Sequence, residues 1–380
     1  MKHLLNKKIF EVEESLIRKF NNMARANGAE LILTLGEPDF PTPEVIKDAC
    51  IQALNEDKTK YGMTPGNLDF RQKVCEFENR VNNIQYTSDE VTITTGSTEA
   101  LTAALMTMVN PGDEIIILTP AYPLYKNIIH FIGGTIVPID TSKNQFQLTQ
   151  EMLDAAISPK TKAIILTSPN NPTGAILSDE SLELVYEAVK KHEFFVISDE
   201  CYNQLVYGER KLGFSKYQDI RDYIIVCQSF SKPYAMPGWR IGYMLASKDF
   251  TEQAVKIHQY MVVAVNTFIQ DAGIAALDFD PAEMTESYRQ RRDYVYDRLI
   301  KMGVDVELPD GAFYMFPSVK KFGMDSWTFC AKLADEEKVA LVPGICFDAD
   351  DFIRISYCAD MSVIVPAMDR LENFVKRLAA

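Results

Sequence analysis

Four times in the middle of the chain, a short apolar, β-rich run gives way to a polar or acidic segment and then to a helical pattern. Ile115-Ile116-Ile117-Leu118 leads into Thr119-Pro120-Ala121-Tyr122. Ala163-Ile164-Ile165-Leu166-Thr167 leads into Ser168-Pro169-Asn170-Asn171-Pro172-Thr173-Gly174. Phe194-Phe195-Val196-Ile197 leads into Ser198-Asp199-Glu200, and Tyr223-Ile224-Ile225-Val226 into a segment ending Ser229-Phe230-Ser231-Lys232. Continuous apolar runs belong to strands buried on both faces. Their alternation with helices predicts an α/β domain with a mainly parallel sheet between helices. Ligands of such sheets sit beyond the carboxyl ends of the strands, so the four polar segments are expected to converge on one site. Both flanks read differently. Helical patterns run from Glu283 to Lys301 and from Met361 to Leu378, with short strand candidates at Phe313-Tyr314-Met315-Phe316 and Phe352-Ile353-Arg354-Ile355. The expected division is a large domain over residues 46–284 and a smaller α+β domain made from residues 1–45 and 285–380.

Length and composition narrow the function. The 380 residues, 47% hydrophobic and 24% charged, suit a globular protein with a sizeable core rather than a disordered one. Lys plus Arg total 39 against 53 Asp plus Glu, a formal charge of −14. Such a chain lacks the basic face that nucleic acid or an anionic membrane requires, so neither is an expected partner. The longest apolar run, Tyr260 to Val265, has six residues, where a bilayer span needs about 20. The stretch from Met1 to Lys8 carries no apolar run, so no signal peptide is expected. Seven cysteines without a Cys-x-x-Cys pair predict reduced thiols and a cytoplasmic location, with Cys201 and Cys227 as small core residues. The four histidines show no helical pair, and no metal is expected.

Two strings carry candidate chemistry. Thr95-Gly96-Ser97-Thr98-Glu99-Ala100-Leu101 opens a helical stretch with Leu101, Leu105 and Met108 on one face. A Gly/Ser/Thr turn there offers free backbone N–H groups and a positive dipole end to an anion, although an ordinary N-cap is the plainer reading of the turn by itself. The second string is Ser229-Phe230-Ser231-Lys232-Pro233-Tyr234-Ala235-Met236-Pro237-Gly238-Trp239-Arg240-Ile241-Gly242. A lysine directly after a buried strand is poorly placed for a solvated surface charge. With its pKa lowered it can form a Schiff base, and Arg240 can supply a phosphate fork.

This second string resembles the pyridoxal-phosphate lysine signature of the class I/II aminotransferases, the aspartate-aminotransferase fold of fold type I. Further motifs follow in the family's order. Leu35-Gly36-Glu37-Pro38-Asp39 resembles the N-terminal substrate loop, and Tyr61-Gly62 with Pro65-Gly66 the loop that reaches the neighbouring subunit's phosphate. Pro120-Ala121-Tyr122 resembles the cofactor-stacking segment, Asn171-Pro172-Thr173-Gly174 the Asn-Pro-x-Gly motif, Asp199-Glu200-Cys201-Tyr202 the Asp-x-x-Tyr motif, and Arg354-Ile355-Ser356 the carboxylate-binding arginine.

The resemblance implies pyridoxal 5'-phosphate as cofactor and a ping-pong exchange between an L-amino acid and a 2-oxo acid. Lys232 would hold the cofactor as an aldimine and then shuttle a proton. Asp199 would pair with the pyridine nitrogen; by itself it also reads as a helix N-cap carboxylate. Tyr202 and Asn171 would bond the ring's phenolic oxygen, and Tyr122 would stack on the ring. Ser97, Thr98, Ser229 and Arg240 would form the phosphate cup, completed by Tyr61 of a second subunit, which implies a homodimer. Arg354 would bind the substrate α-carboxylate beside Gly36, whose missing side chain lets backbone approach closely; a strand-edge salt bridge is its other reading. An aspartate- or aromatic-type donor is expected, and a diaminopimelate-derived one is a further candidate. Arg71 and Lys126 are unplaced cations, and Phe40, Tyr125 and Ala312 to Phe316 are candidate pocket residues. The rival on the same scaffold is a cysteine-S-conjugate-type β-lyase. A regulator without catalysis is disfavoured, because the first motif begins at residue 35 and leaves no room for a DNA-binding domain.

Overall fold

The computed structural model describes residues 4–5, 7–10, 12, 14–209 and 211–379. Met1, Lys2, His3 and Asn6, part of the stretch read above for a signal peptide, lie outside them. The chain opens with α1 (Leu16–Ala26), β1 (Leu31–Ile32), α2 (Glu44–Asn55) and α3 (Leu68–Asn82). The central part runs β2 (Val91–Thr94), α4 (Ser97–Met108), β3 (Glu114–Thr119), α5 (Leu124–Ile132), β4 (Thr135–Asp140), α6 (Gln150–Ala156) and β5 (Thr161–Thr167). It continues with α7 (Asp179–His192), β6 (Phe195–Asp199), β7 (Ile224–Ser229), β8 (Gly242–Leu245), α8 (Lys248–Val262) and α9 (Thr267–Asp278). The last part holds α10 (Ala282–Lys301), β9 (Tyr314–Met315), α11 (Ser326–Glu336), β10 (Val339–Ala340), β11 (Val342–Pro343), β12 (Ile353–Ser356) and α12 (Met361–Ala379).

Seven strands form the main sheet in the order β2-β8-β7-β6-β5-β3-β4. Pairings among β7, β6, β5, β3 and β4 are parallel, while β8 runs antiparallel to both of its neighbours. The continuous apolar runs now have their explanation. Ile116, Ile164, Leu166, Val196 and Val226 point into one core, and Ile115, Ile117, Ile165, Ile197 and Ile225 into the core on the opposite face. Neither face meets water, so no polar alternation survives in the sequence.

Three strands of this sheet lie outside the four runs read from the pattern. β2 and β8 have only four residues each, too few for a run to stand out. β4 is the edge strand, half exposed and interrupted by Pro138, which an edge tolerates because one side of its ladder needs no donor.

A separate apolar cluster gathers Phe20, Leu33, Tyr288, Val295, Phe313, Phe329, Ile355 and Phe374. It includes Cys201, Tyr202 and Leu205 from just beyond β6, so this second core touches the carboxyl edge of the main sheet. Its short strands form a parallel pair β1-β10 and an antiparallel trio β11-β12-β9.

Backbone is packed tightly where β8 leaves the site edge. A Cβ on Gly242 would lie 2.3 Å from the Gln228 carbonyl oxygen and 3.0 Å from backbone atoms of Gly96. Gly242→Ala is therefore expected to cost about 1–3 kcal/mol of stability, measured as a lower denaturant midpoint. An unchanged midpoint would show that this contact is not a constraint.

Candidate active site

The carboxyl ends of β2, β3, β5, β6 and β7 and the start of β8 deliver most of the anticipated residues to one edge of the sheet. Lys232 follows β7 directly. Its Nζ donates to the Gly36 carbonyl at 2.5 Å and lies 5.8 Å from the Phe313 ring centroid. Burial pushes its pKa below the ordinary lysine range, and the Arg354 charge adds in the same direction. Gly36 has no room for a side chain, since a Cβ there would fall 1.9 Å from the Tyr314 hydroxyl oxygen.

Asp199 ends β6 and is 4% exposed. Its Oδ2 accepts from the Tyr125 hydroxyl at 2.7 Å and its Oδ1 from the Cys201 N–H at 3.4 Å. The Thr167 hydroxyl lies 2.8 Å from the Tyr125 hydroxyl; because the one Tyr125 proton is directed at Asp199, Thr167 donates in turn. Burial raises the Asp199 carboxyl above its usual range, and the bond from Tyr125 opposes that rise. Tyr125 thus serves the carboxylate rather than a substrate side chain. Sequence spacing offered no signal for this, because an aromatic residue on α5 reads as core.

Arg354, on β12, is 3% exposed. Its Nη1 donates to Asn171 Oδ1 at 2.8 Å and its Nη2 to the Thr34 carbonyl at 2.7 Å, while its buried Nε has no partner among the described residues. The guanidinium lies 4.5 Å from the Tyr314 ring centroid and 4.9 Å from that of Phe347. Among the described residues these partners are an amide, a carbonyl and two rings, so the strand-edge salt bridge is not what holds it. The Tyr202 hydroxyl meets the Tyr314 hydroxyl at 2.7 Å. Tyr122 packs edge-on to Tyr125 at 6.0 Å.

The anion cup forms where three segments meet. Gly96 (φ +86°) is the N-cap of α4 and provides no side-chain cap, so the amides around Ser97 and Thr98 are open to a ligand. Arg240 Nη2 lies 3.0 Å from where a Gly96 Cβ would stand, and Arg240 Nη1 donates to the Pro237 carbonyl at 2.9 Å. Ser229 is buried at the end of β7 opposite Gly242. Trp239 braces this loop, donating from Nε1 to Thr42 Oγ1 at 3.0 Å, and the Thr42 hydroxyl donates to the Ala235 carbonyl at 2.6 Å.

Tyr61 stands elsewhere. It is 89% exposed and lines a surface cleft of about 700 Å³ with Val262, Asn266 and Phe268. Arg71 is occupied by the Gly66 and Ser88 carbonyls, and Lys126 by Asp348. Cys201 and Cys227 are buried, and burial raises both thiols well above their ordinary range, which makes them poor nucleophiles.

These residues fit pyridoxal phosphate. An uncapped helix start with an arginine beside it suits a phosphate, a buried carboxylate suits a protonated ring nitrogen, and an amine of lowered pKa suits a Schiff base. The sequence profile of the family described as aminotransferase class I and II matches residues 30–371. The chain belongs to this family.

Aminotransferases of this family use pyridoxal phosphate. This one is 41% identical, over 99% of its length and 96% of the relative's, to a probable N-acetyl-LL-diaminopimelate aminotransferase of Bacillus subtilis. Its structure resembles the aspartate aminotransferase of Thermotoga maritima with a TM-score of 0.93 and 35% identity, covering 98% of this chain and 100% of that one. It resembles the aromatic aminotransferase of Pyrococcus horikoshii with a TM-score of 0.89 and 33% identity, covering 94% and 99%. The mainly parallel α/β sheet read from the pattern and the aspartate-aminotransferase fold implied by the resemblance are those of these structures, and nothing in these similarities favours the β-lyase.

The role of Tyr125 is open to a direct test. Tyr125→Phe removes a bond that holds the Asp199 carboxylate ionised, so the Asp199 pKa should rise further. The acid limb of cofactor binding is expected to move up by roughly one pH unit, measured as the cofactor dissociation constant against pH. An unmoved acid limb would mean that Tyr125 only fills space.

Proposed function

We propose that the clustered residues act as the catalytic site of transamination between an L-amino acid and a 2-oxo acid, in a homodimer located in the cytoplasm. The observation that carries this reading is the gathering of half-buried Lys232 with buried Asp199 and Arg354 at one edge of the main sheet, with no ion pair among them. Pyridoxal phosphate, when bound, supplies an electron sink for the α-carbon. The rest is done by the chain. Arg354 takes the substrate α-carboxylate with its Nη groups and its partnerless Nε, and the Tyr314 and Phe347 rings keep water off that pair. The lowered pKa of Lys232 favours the free amine that accepts and returns the α-proton. Asp199, held by Tyr125, fixes a positive charge opposite itself. Asn171 presents its Nδ2 as a donor, because its Oδ1 is engaged by Arg354.

The donor placed first is N-acetyl-LL-diaminopimelate, from the name of the 41% identical relative, with aspartate and aromatic amino acids next from the other two. The apolar cluster drawn mostly from the two chain ends, separate from those on the faces of the main sheet, supports the division into domains at residues 46–284 and at 1–45 with 285–380. Exposed Met63, Tyr260 and Val263 around Tyr61 support a subunit face there, and free cysteines support a reducing compartment.

A half-reaction tests the chemistry. Each donor is added singly to the purified holoenzyme without an oxo acid. One equivalent of 2-oxo acid per subunit, with no ammonia, is the expected result; continuous release of ammonia and pyruvate would mean elimination instead. Lys232→Ala should abolish this half-reaction and keep the fold by circular dichroism; normal turnover would refute the assignment. Arg354→Ala should weaken amino-acid binding by about 100-fold or more and leave cofactor affinity within about threefold. Equal losses of both would make Arg354 a structural residue.

A further inference from the structure

A buried acid–histidine pair lies behind the anion cup; neither residue was given a role by the family resemblance. Glu99 is in the first turn of α4, directly after Ser97 and Thr98. Its Oε2 accepts from the Thr95 N–H at 2.5 Å and from the Thr95 hydroxyl at 2.7 Å, and so fixes the turn that ends in Gly96. Its Oε1 lies 2.6 Å from Nδ1 of His258, on α8. His258 Nε2 lies 2.8 Å from the carbonyl oxygen of Thr64. The His258 and Glu99 side chains are 1% and 3% exposed. Burial alone would raise the Glu99 carboxyl, but the bonds from His258 and Thr95 outweigh it and hold the carboxyl below its usual range. The two ring nitrogens thus face two oxygens, one of the Glu99 carboxyl and one of the Thr64 carbonyl.

Thr64 belongs to the segment that presents Tyr61. Two further bonds anchor that segment. The Ile93 N–H donates to the Pro65 carbonyl at 2.9 Å, and Gln270 Oε1 accepts from the Asn67 N–H at 2.7 Å. The Tyr61 side chain itself projects into solvent. One ring therefore bridges the turn that forms the anion cup of its own subunit and the loop that offers Tyr61 outward.

We propose that Glu99 and His258 are positioning residues that couple the anion cup of one subunit to the Tyr61 loop serving the cup of its partner. The inference rests on the proposed reading of the cup and the dimer. A buried carboxyl and a buried imidazole that satisfy each other through a single ring leave no slack. Removing one donor leaves either the Glu99 carboxylate or the Thr64 carbonyl without its partner, and the segment on that side is released. Each cup would then depend on the Glu99–His258 pairs of both subunits.

A double-mutant cycle of His258→Gln and Tyr61→Phe tests the coupling. Its readout is the cofactor dissociation constant of the purified holoenzyme by equilibrium dialysis. In His258→Gln the side-chain amide can donate to one of the two acceptors but not to both. Each single variant is expected to raise the dissociation constant about tenfold. If His258 acts through Tyr61, the double variant stays within about threefold of either single one, where independent effects would multiply to about 100-fold. Multiplied effects overturn the coupling. So does a lowered melting temperature with an unchanged dissociation constant, the mark of a purely structural pair. Loss from Tyr61→Phe without loss from His258→Gln overturns only the coupling; no loss from Tyr61→Phe overturns the reading of the cup and the coupling with it. If His258→Gln does not fold, Glu99→Gln takes its place in the same cycle with the same expected values.

Discussion

Keeping a lysine, an aspartate and an arginine in dry surroundings without letting them neutralise one another is the constraint that shapes this molecule. Each buried charge costs several kcal/mol of lost hydration even after its surroundings relax. Here the offset comes from neutral dipoles: the Gly36 carbonyl for Lys232, the Tyr125 hydroxyl for Asp199, and the Asn171 amide with the Thr34 carbonyl for Arg354. An ion pair among the three would leave nothing for a ligand to bind. The separation holds because the groups ride on different strands. Asp199 and Lys232 come from the main sheet, while Arg354 comes from the small antiparallel trio.

Much of this was legible in the sequence because the sheet is buried on both faces. β3, β5, β6 and β7 stand out as apolar runs, and the polar residues after them, Tyr122, Asn171, Asp199 and Lys232, fall where a ligand of such a sheet would sit. The short flanking strands were hidden: β2 and β8 are too brief, and edge strand β4 carries a proline. Tyr125 was legible as an aromatic residue but not as the donor to Asp199, since its partner lies 74 positions away. The Glu99–His258 pair gave no local signal either. Its members are 159 residues apart, and a single histidine within a helical stretch resembles any other. Local pattern reveals which face is dry. It does not reveal which distant groups share that dry space.

Glycine marks the places where this geometry is tightest. At Gly36 a side chain would collide with Tyr314, and at Gly96 it would press on the Arg240 guanidinium. In both cases the missing Cβ lets a backbone group approach a charged or hydroxyl-bearing side chain closely enough to fix it. These contacts also explain why the second core reaches the sheet edge beside Tyr202. The Tyr202–Tyr314 hydroxyl pair ties β9 to the segment after Asp199, and Arg354 lies against the same Tyr314 ring.

The single reversed strand of the main sheet has a consequence for how such a protein can change. Because β8 runs against β7, the connection between them leaves and re-enters the sheet at the same edge. Lys232 and Arg240 both sit on that one connection, fastened at its two ends by the Ser229–Gly242 pairing and in its middle by Trp239. The pairing and the brace hold the two anchors at one spacing. An insertion between them would change the spacing of amine and guanidinium, which a connection pinned at both ends holds fixed.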